Sequence, residues 1–241
     1  MKNRRETCSQ DTKARMTEQH PLEPFFPGGA RILMLGSFPP KKERWSMDFF
    51  YPNFNNDMWR IIGLIFFGDK SHFEMAARTA DSPDGKASGN GTTAAKRFDR
   101  EKIAGFCAEK GIALYDTAAE VRRLKDNASD KFLEIVTPTD LSTLLEKIPE
   151  CTAIVTTGEK AAEATAAYFG CKAPATGKCI EIIMDGSNSS KGQEDPANGK
   201  CPCNARHLMF WRMPSSSRAY PLSLEKKAEA YRNMFISAGI L

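Results

Sequence analysis

Short apolar runs and amphipathic segments alternate along this chain of 241 residues, and this alternation constrains the fold more than any other feature. Apolar runs bounded by turn residues predict buried strands at 31–37, 112–116, 153–158, 180–184 and 207–213. Apolar residues three and four positions apart predict helices at 56–69, 98–111, 139–148, 159–170 and 223–239. Strands that alternate with helices usually pair in parallel. The sequence therefore predicts an α/β fold, a three-layer α/β/α sandwich around a central, mostly parallel, four-stranded sheet.

The composition divides the chain into one folded domain and several flexible segments. Residues 1–20 are polar and basic, which predicts a flexible tail ahead of a single domain spanning 21–241. Two stretches rich in small polar residues predict loop inserts near 79–95 and 185–206. We expect a monomer, although the sequence leaves the oligomeric state open.

Charge, hydropathy and cysteine usage restrict the partners and the location. The net charge is +4 and the pI is near 8.6, which permits binding to a polyanion without requiring it. The N-terminus lacks the apolar stretch of a secretory signal, and the longest apolar run, 61–67, is too short to cross a membrane. Seven cysteines at scattered spacings argue against a disulfide framework. We therefore expect a cytoplasmic protein that does not act at a membrane.

Three segments follow predicted strands and therefore lie where parallel sheets bind their ligands, at the carboxyl ends of the strands. They are GSFPP at 36–40, TTGEK at 156–160 and MPSSSR at 213–218. The TTGEK segment lacks the glycine spacing of a phosphate-binding loop, so we interpret it as structural. The other two carry more polar or aromatic groups and are the candidates for function.

The first candidate segment combines a rigid turn, an aromatic ring and an amide. Gly36, Ser37 and Phe38 precede two prolines, and Tyr51 lies five residues before Asn56 at the start of a predicted helix. An enzyme that acts on a base extruded from DNA needs a tight backbone wall, a ring to stack on and polar groups for the base edge. A proline-rich loop whose aromatic residues simply pack on the core would have a similar composition.

The second candidate segment places three serines and an arginine between a strand and a helix. Ser215, Ser216, Ser217 and Arg218 could hold a phosphate through hydroxyls, backbone amides and the guanidinium. A polar loop before a capped helix is the alternative interpretation.

Together, the two segments resemble the active-site motifs of the uracil-DNA glycosylase superfamily, most closely its mismatch-specific uracil and hypoxanthine-DNA glycosylase branches. Those families carry Gly-x-x-Pro after the first strand, then aromatic-x-x-x-x-Asn-x-aromatic-Trp. These patterns correspond here to GSFP and YPNFNNDMW. A Pro-Ser loop that leads into a helix corresponds to MPSSSRAYPLSLEKKAEAYR. The likeness extends over most of residues 20–240, but only these tracts are specific.

The resemblance implies a role for each matched residue. The aromatic residue stacks on the base, the amide positions water or contacts the base, the turn lines the base pocket, and the serine-rich loop and its arginine contact DNA. The corresponding residues are Tyr51, Asn56, the turn Gly36, Ser37 and Phe38, and the loop Ser215, Ser216, Ser217 and Arg218.

Two positions depart from the family pattern. Phe38 stands where other branches have Asn, Asp or Glu, and Met213 stands where several have His or Asn. Neither side chain can activate water. The resemblance then leaves catalysis to Asn56, with Asp57 or Asp48 as possible helpers, and an amide can orient water but cannot take its proton.

The resemblance implies a monofunctional DNA glycosylase of base excision repair that hydrolyses the N-glycosidic bond of a deaminated base, uracil or hypoxanthine, without a cofactor. Its partner would be damaged or mismatched duplex DNA, or single-stranded DNA, with Lys41, Lys42 and Arg44 as phosphate contacts. The two departures favour an alternative, a weak or inactive module that binds nucleic acid or damaged bases on the same fold. An enzyme acting on free nucleosides or nucleotides is a third interpretation.

The cysteines near the second insert permit a zinc site but do not favour one. Cys179, Cys201, Cys203 and His207 lie near one another in sequence, yet a paired Cys-x-x-Cys spacing is missing. We therefore expect no metal.

Overall fold

The computed structural model describes residues 17–75, 96–124, 132–184 and 205–241. The predicted insert at 79–95 lies outside the described residues, as do all but the last two residues of the insert at 185–206. Cys201, Cys203 and residues 1–16 of the predicted tail lie outside them as well.

The predicted three-layer α/β/α architecture is confirmed. Within the described residues the central sheet contains β2 (Ile32–Gly36), β3 (Ile112–Asp116), β6 (Ala153–Thr157), β7 (Lys178–Met184) and β8 (Arg206–Met213). Their order across the sheet is β3-β2-β6-β8-β7, in which the first four strands are parallel and β7 is antiparallel to β8. The sheet has five strands where four were expected, because β7 adds an antiparallel edge to the four parallel strands.

Helices cover both faces of this sheet. They are α1 (Met58–Phe67), α2 (Arg100–Lys110), α3 (Leu141–Glu146), α4 (Glu159–Tyr168) and α5 (Leu224–Ser237). The alternation of β2 side chains divides the core. Ile32 and Met34 pack with α1, α2 and α5, whereas Leu33 and Leu35 pack with α3 and α4. No helix in the described part of the chain is long and apolar enough to cross a bilayer.

Local sequence explains where several helices begin and end. Ser223 caps α5, because its hydroxyl accepts a hydrogen bond from the backbone N–H of Lys226. Asp99 caps α2 in the same way, through the backbone N–H of Lys102. Gly111 then ends α2 with a φ of 65°, which a residue with a side chain rarely adopts.

A second, antiparallel sheet was not predicted. In the described residues it has the order β1-β4-β5, formed by Glu18–Gln19, Ala118–Arg123 and Leu133–Pro138. The assignment of residues 1–20 to a flexible tail is therefore wrong at its C-terminal end, because residues 18 and 19 pair with β4. Phe38 packs against this sheet in a small apolar cluster. The second sheet thus forms a wall beside the turn that follows β2.

Candidate functional site

A cleft of about 790 Å³ opens at the carboxyl ends of the parallel strands. All nine site residues predicted from the sequence line it: Gly36, Ser37, Phe38, Tyr51, Asn56, Ser215, Ser216, Ser217 and Arg218. The cleft thus brings together two segments that are separated by about 160 positions in the chain. Their individual roles are addressed below as proposals.

The floor of the cleft is the turn after β2. Gly36 ends that strand, and a Cβ at this position would clash with the Oδ1 atom of Asp116. Glycine therefore allows the turn and the Asp116 carboxylate to lie against each other. Phe38 is 9% exposed, because its ring packs against the second sheet and the Arg123 guanidinium lies 5.6 Å from its centre. The floor is consequently apolar at Phe38.

Tyr51 is held in place by two contacts and has an unusual backbone conformation. Its phenol lies 3.0 Å from the hydroxyl of Thr157 at the end of β6, and its ring packs edge-on against Trp59. Its φ of 51° is in the left-handed region, which costs a residue with a side chain free energy. Burial raises the pKa of the Tyr51 phenol well above its usual range, and the negative charge of Asp116 adds to this effect. The ring is a neutral, fixed surface on the cleft.

Asn56 is also fixed in orientation. Its Oδ1 accepts a hydrogen bond of 2.8 Å from the backbone N–H of Met58 at the start of α1. Because a backbone N–H can only donate, the amide oxygen must face it, and the amide nitrogen must point the other way. The half-buried side chain therefore offers the cleft mainly hydrogen-bond donors.

The two predicted segments are bonded directly to each other. The backbone N–H of Asp57 donates to the carbonyl of Ser216 at 2.9 Å, and Asn56 and Ser217 form an antiparallel bridge. Ser216 itself is 3% exposed, so its hydroxyl is poorly placed for the phosphate contact that the sequence predicted. Ser215, Ser217 and Arg218 are more accessible.

Asp57 and Asp48, which were considered as catalytic helpers, lie away from the lining of the cleft. The two Asp57 carboxylate oxygens accept hydrogen bonds from Arg218 Nε at 2.9 Å and from Lys227 Nζ at 3.2 Å. Lys227 is 1% exposed and also donates to the carbonyl of Ser217. Asp57 therefore anchors the serine-rich loop. Asp48 is exposed.

Several residues that line the cleft were missed from the sequence: Thr157, Asp116, Arg123 and Leu133. Thr157 belongs to the segment interpreted as structural, and it contributes the hydroxyl that holds Tyr51. Asp116 ends β3, the neighbour of β2, so its position at a strand end was a legible signal. Arg123 and Leu133 come from the second sheet, whose short, half-exposed strands gave no clear pattern.

The remaining predicted groups lie in the cleft, on the surface and in the core. Arg44 lines the cleft, whereas the ammonium group of Lys42 lies 5.4 Å from the ring centre of Trp45. Met213 is 1% exposed and packs in the main core, so it offers the cleft no polar group.

No cluster of three potential metal ligands occurs within the described ranges. The imidazole of His207 binds the Glu181 carboxylate at 2.8 Å, and Cys179 is a free thiol.

Comparisons with known proteins agree with this fold. A solution NMR structure of a "putative Uracil DNA glycosylase" from Methanosarcina acetivorans matches with a TM-score of 0.52 and 17% sequence identity. The match covers 93% of this chain and 99% of that protein. No family model and no curated protein matches the sequence. The likeness shows a uracil-DNA-glycosylase-like fold.

Proposed function

We propose that this protein is a monofunctional DNA glycosylase that hydrolyses the N-glycosidic bond of a deaminated base, uracil or hypoxanthine, extruded from DNA. One observation carries the proposal: Tyr51, Asn56, the Gly36 turn and the serine-rich loop line one cleft at the carboxyl ends of the strands. The fold shared with a protein described as a "putative Uracil DNA glycosylase" supports it. The reaction belongs to base excision repair, and we expect it to take place in the cytoplasm.

The cleft offers separate parts for the base and for the DNA backbone. The extruded base stacks on Tyr51, whose ring is fixed by Thr157 and Trp59. The amide nitrogen of Asn56 donates a hydrogen bond to a carbonyl oxygen of the base, since its oxygen already binds Met58. Both uracil and hypoxanthine present such a carbonyl. The donor stabilises the negative charge that develops on the leaving base.

The rim of the cleft suits a polyanion. Arg44 and Arg218 line it, together with the hydroxyls of Ser215 and Ser217. Phosphates bound here would fix the register of the DNA without reading its sequence. Affinity should therefore fall steeply with salt, in duplex as in single-stranded DNA.

An assay for abasic sites tests the proposal. Duplexes with U·G, U·A or hypoxanthine·T, and single-stranded DNA with uracil, are incubated with excess enzyme and then cleaved with alkali. We expect strand cleavage at the modified position of at least one substrate. Asn56→Ala should lower the single-turnover rate by about 10²-fold or more, as loss of a donor to developing charge does in other enzymes, with little change in affinity. Asn233→Ala, an exposed amide on α5, is the matched control and should retain full activity.

A module that binds DNA without cleaving it is the second candidate, favoured by the apolar side chain of Phe38 in the cleft and the burial of Met213. Both candidates predict salt-dependent DNA binding. Binding without any abasic product from the four substrates would establish the module and exclude the enzyme.

A further inference from the structure

The carboxylate of Asp116 lies in the cleft beside the turn at Gly36. It is the one Asp or Glu among the described residues that line the cleft. Its Oδ1 lies against Gly36 at the turn after β2 and accepts no hydrogen bond from the described part of the protein. Its backbone carbonyl accepts a hydrogen bond from Thr139, which fixes the end of β3. The Asp116 side chain is 10% exposed, so it is largely shielded from bulk solvent but reaches the cleft.

A buried histidine holds the other oxygen of this carboxylate. His20 Nε2 lies 3.0 Å from Asp116 Oδ2, and the His20 side chain is 3% exposed. A carboxylate has no proton to donate, so Nε2 is the donor. Nδ1 of the ring then meets the backbone of Leu22, whose N–H and carbonyl lie 3.2 and 2.8 Å away. Rings of Phe38 and Tyr115 pack around the imidazole. The arrangement orients the carboxylate and leaves Oδ1 available.

The other side chains considered for catalysis are unsuited to accept a proton from water in the cleft. The Asn56 amide cannot take a proton from water, and its oxygen is already bonded. Phe38 is apolar, and the Tyr51 phenol stays protonated because burial raises its pKa. Asp57 is satisfied by two cations and does not line the cleft.

We propose that Asp116 is the catalytic residue that accepts the proton of the attacking water, and that His20 positions its carboxylate; this inference rests on the proposed glycosylase function. The water oxygen forms a bond to C1′ of the deoxyribose. The C1′–N bond breaks and its electron pair leaves with the base. The water proton passes to Asp116 Oδ1 and from there to solvent, and the base leaves as an anion that takes a proton from solvent. The products are an abasic sugar and the neutral free base. No metal or redox partner enters this balance.

Single-turnover kinetics of paired variants test the inference. Asp116→Asn keeps the shape of the side chain and its contact to His20 but removes the base, so we expect a rate loss of about 10²–10⁴-fold. Affinity for a duplex that contains a tetrahydrofuran abasic analogue should stay within about twofold of wild type, because the phosphate contacts are untouched. Glu163→Gln, which replaces an exposed carboxylate on α4 outside the cleft, is the matched control and should keep the wild-type rate.

The positioning role of His20 has its own readout. His20→Leu should lower the rate at saturating enzyme by about tenfold, the effect of one hydrogen bond to a charged group, without changing affinity. His20→Gln can still donate to Asp116 and should recover much of that rate. Circular dichroism checks that each variant is folded. Should Asp116→Asn fail to fold, Asp116→Ala assayed with added formate replaces it, and recovery of the rate by formate supports the role of the carboxylate.

The outcomes separate this inference from the proposed function. If the wild-type protein forms no abasic site in any substrate, both are overturned. If the wild type is active and Asp116→Asn keeps more than a tenth of its rate, only the role of Asp116 is overturned. A loss of affinity that matches the loss of rate would also overturn it, since Asp116 would then bind rather than catalyse.

Discussion

Two aspartates of equal burial have different hydrogen-bond partners and different positions relative to the cleft. Asp57 and Asp116 are each 7% exposed. Asp57 accepts hydrogen bonds from two cationic groups, Arg218 and Lys227, and does not line the cleft. Asp116 is bonded through one oxygen to His20, and it lines the cleft. Burial alone therefore does not distinguish an anchoring carboxylate from one that lines the cleft. The two aspartates differ in the number of their hydrogen-bond partners and in whether the remaining carboxylate oxygen is left available.

The largest expected effect tests Asp57 as an anchor. Asp57→Asn leaves the Lys227 charge buried without its counterion, so we expect the free energy of unfolding to fall by about 3–5 kcal/mol. Urea unfolding monitored by circular dichroism measures this change. The double variant Asp57→Asn/Lys227→Met removes both charges and should regain much of the loss. Asp116→Asn should cost clearly less, and equal losses for the two asparagine variants would remove the contrast between the two sites.

A smaller effect tests how closely Asp116 fits against the turn. Gly36→Ala adds a methyl group that clashes with Asp116 Oδ1, and we expect a loss of about 1–3 kcal/mol from this overpacking. Displacement of the carboxylate should also lower the rate of the proposed glycosylase reaction. Gly105→Ala is the matched control, since a Cβ there meets no atom within 4 Å on the exposed face of α2 and should be neutral or stabilising. A stable, fully active Gly36→Ala variant would contradict the close fit.

The smallest effect concerns the phenol that shares the cleft with Asp116. The pKa of Tyr51 is raised by burial first and by the Asp116 charge second. An unfolded tyrosine ionises near pH 10, whereas the folded Tyr51 stays protonated above that pH. The contribution of Tyr51 to the free energy of unfolding is therefore fully present below pH 10 and is lost as the pH rises above 10. Tyr51→Phe should reduce the loss of unfolding free energy between pH 10 and 11 by about 1 kcal/mol. Tyr231, whose pKa is also raised by burial, should account for a further part of the loss. Identical pH profiles for Tyr51→Phe and wild type would contradict this.

The sequence predicted the central sheet because its strands are marked by local pattern. The run ILMLG of β2 is buried at every position, and Ser223 marks the start of α5. The second sheet carries no such signal. β4 reads AAEVRR and is buried only at Ala118 and Val121, since it contributes to a small satellite cluster rather than to the main core.

The candidate site was predictable where strand ends carry distinctive residues and obscure where it depends on pairing across the chain. Tyr51, Asn56 and the serine-rich loop lie in tracts that can be compared as patterns. The contact between His20 and Asp116 joins residues 96 positions apart, and no periodicity or spacing encodes it. His20 also lies in a segment whose composition indicated a tail.

The backbone bond from Asp57 to Ser216 has a consequence for how such a cleft can change. Because this hydrogen bond joins the start of α1 to the serine-rich loop, a substitution that displaces one of these segments should also displace the other. Replacements at residues 56 and 57 and at 216–218 should therefore combine non-additively, and a new substrate preference would have to be acquired by matched exchanges on both sides.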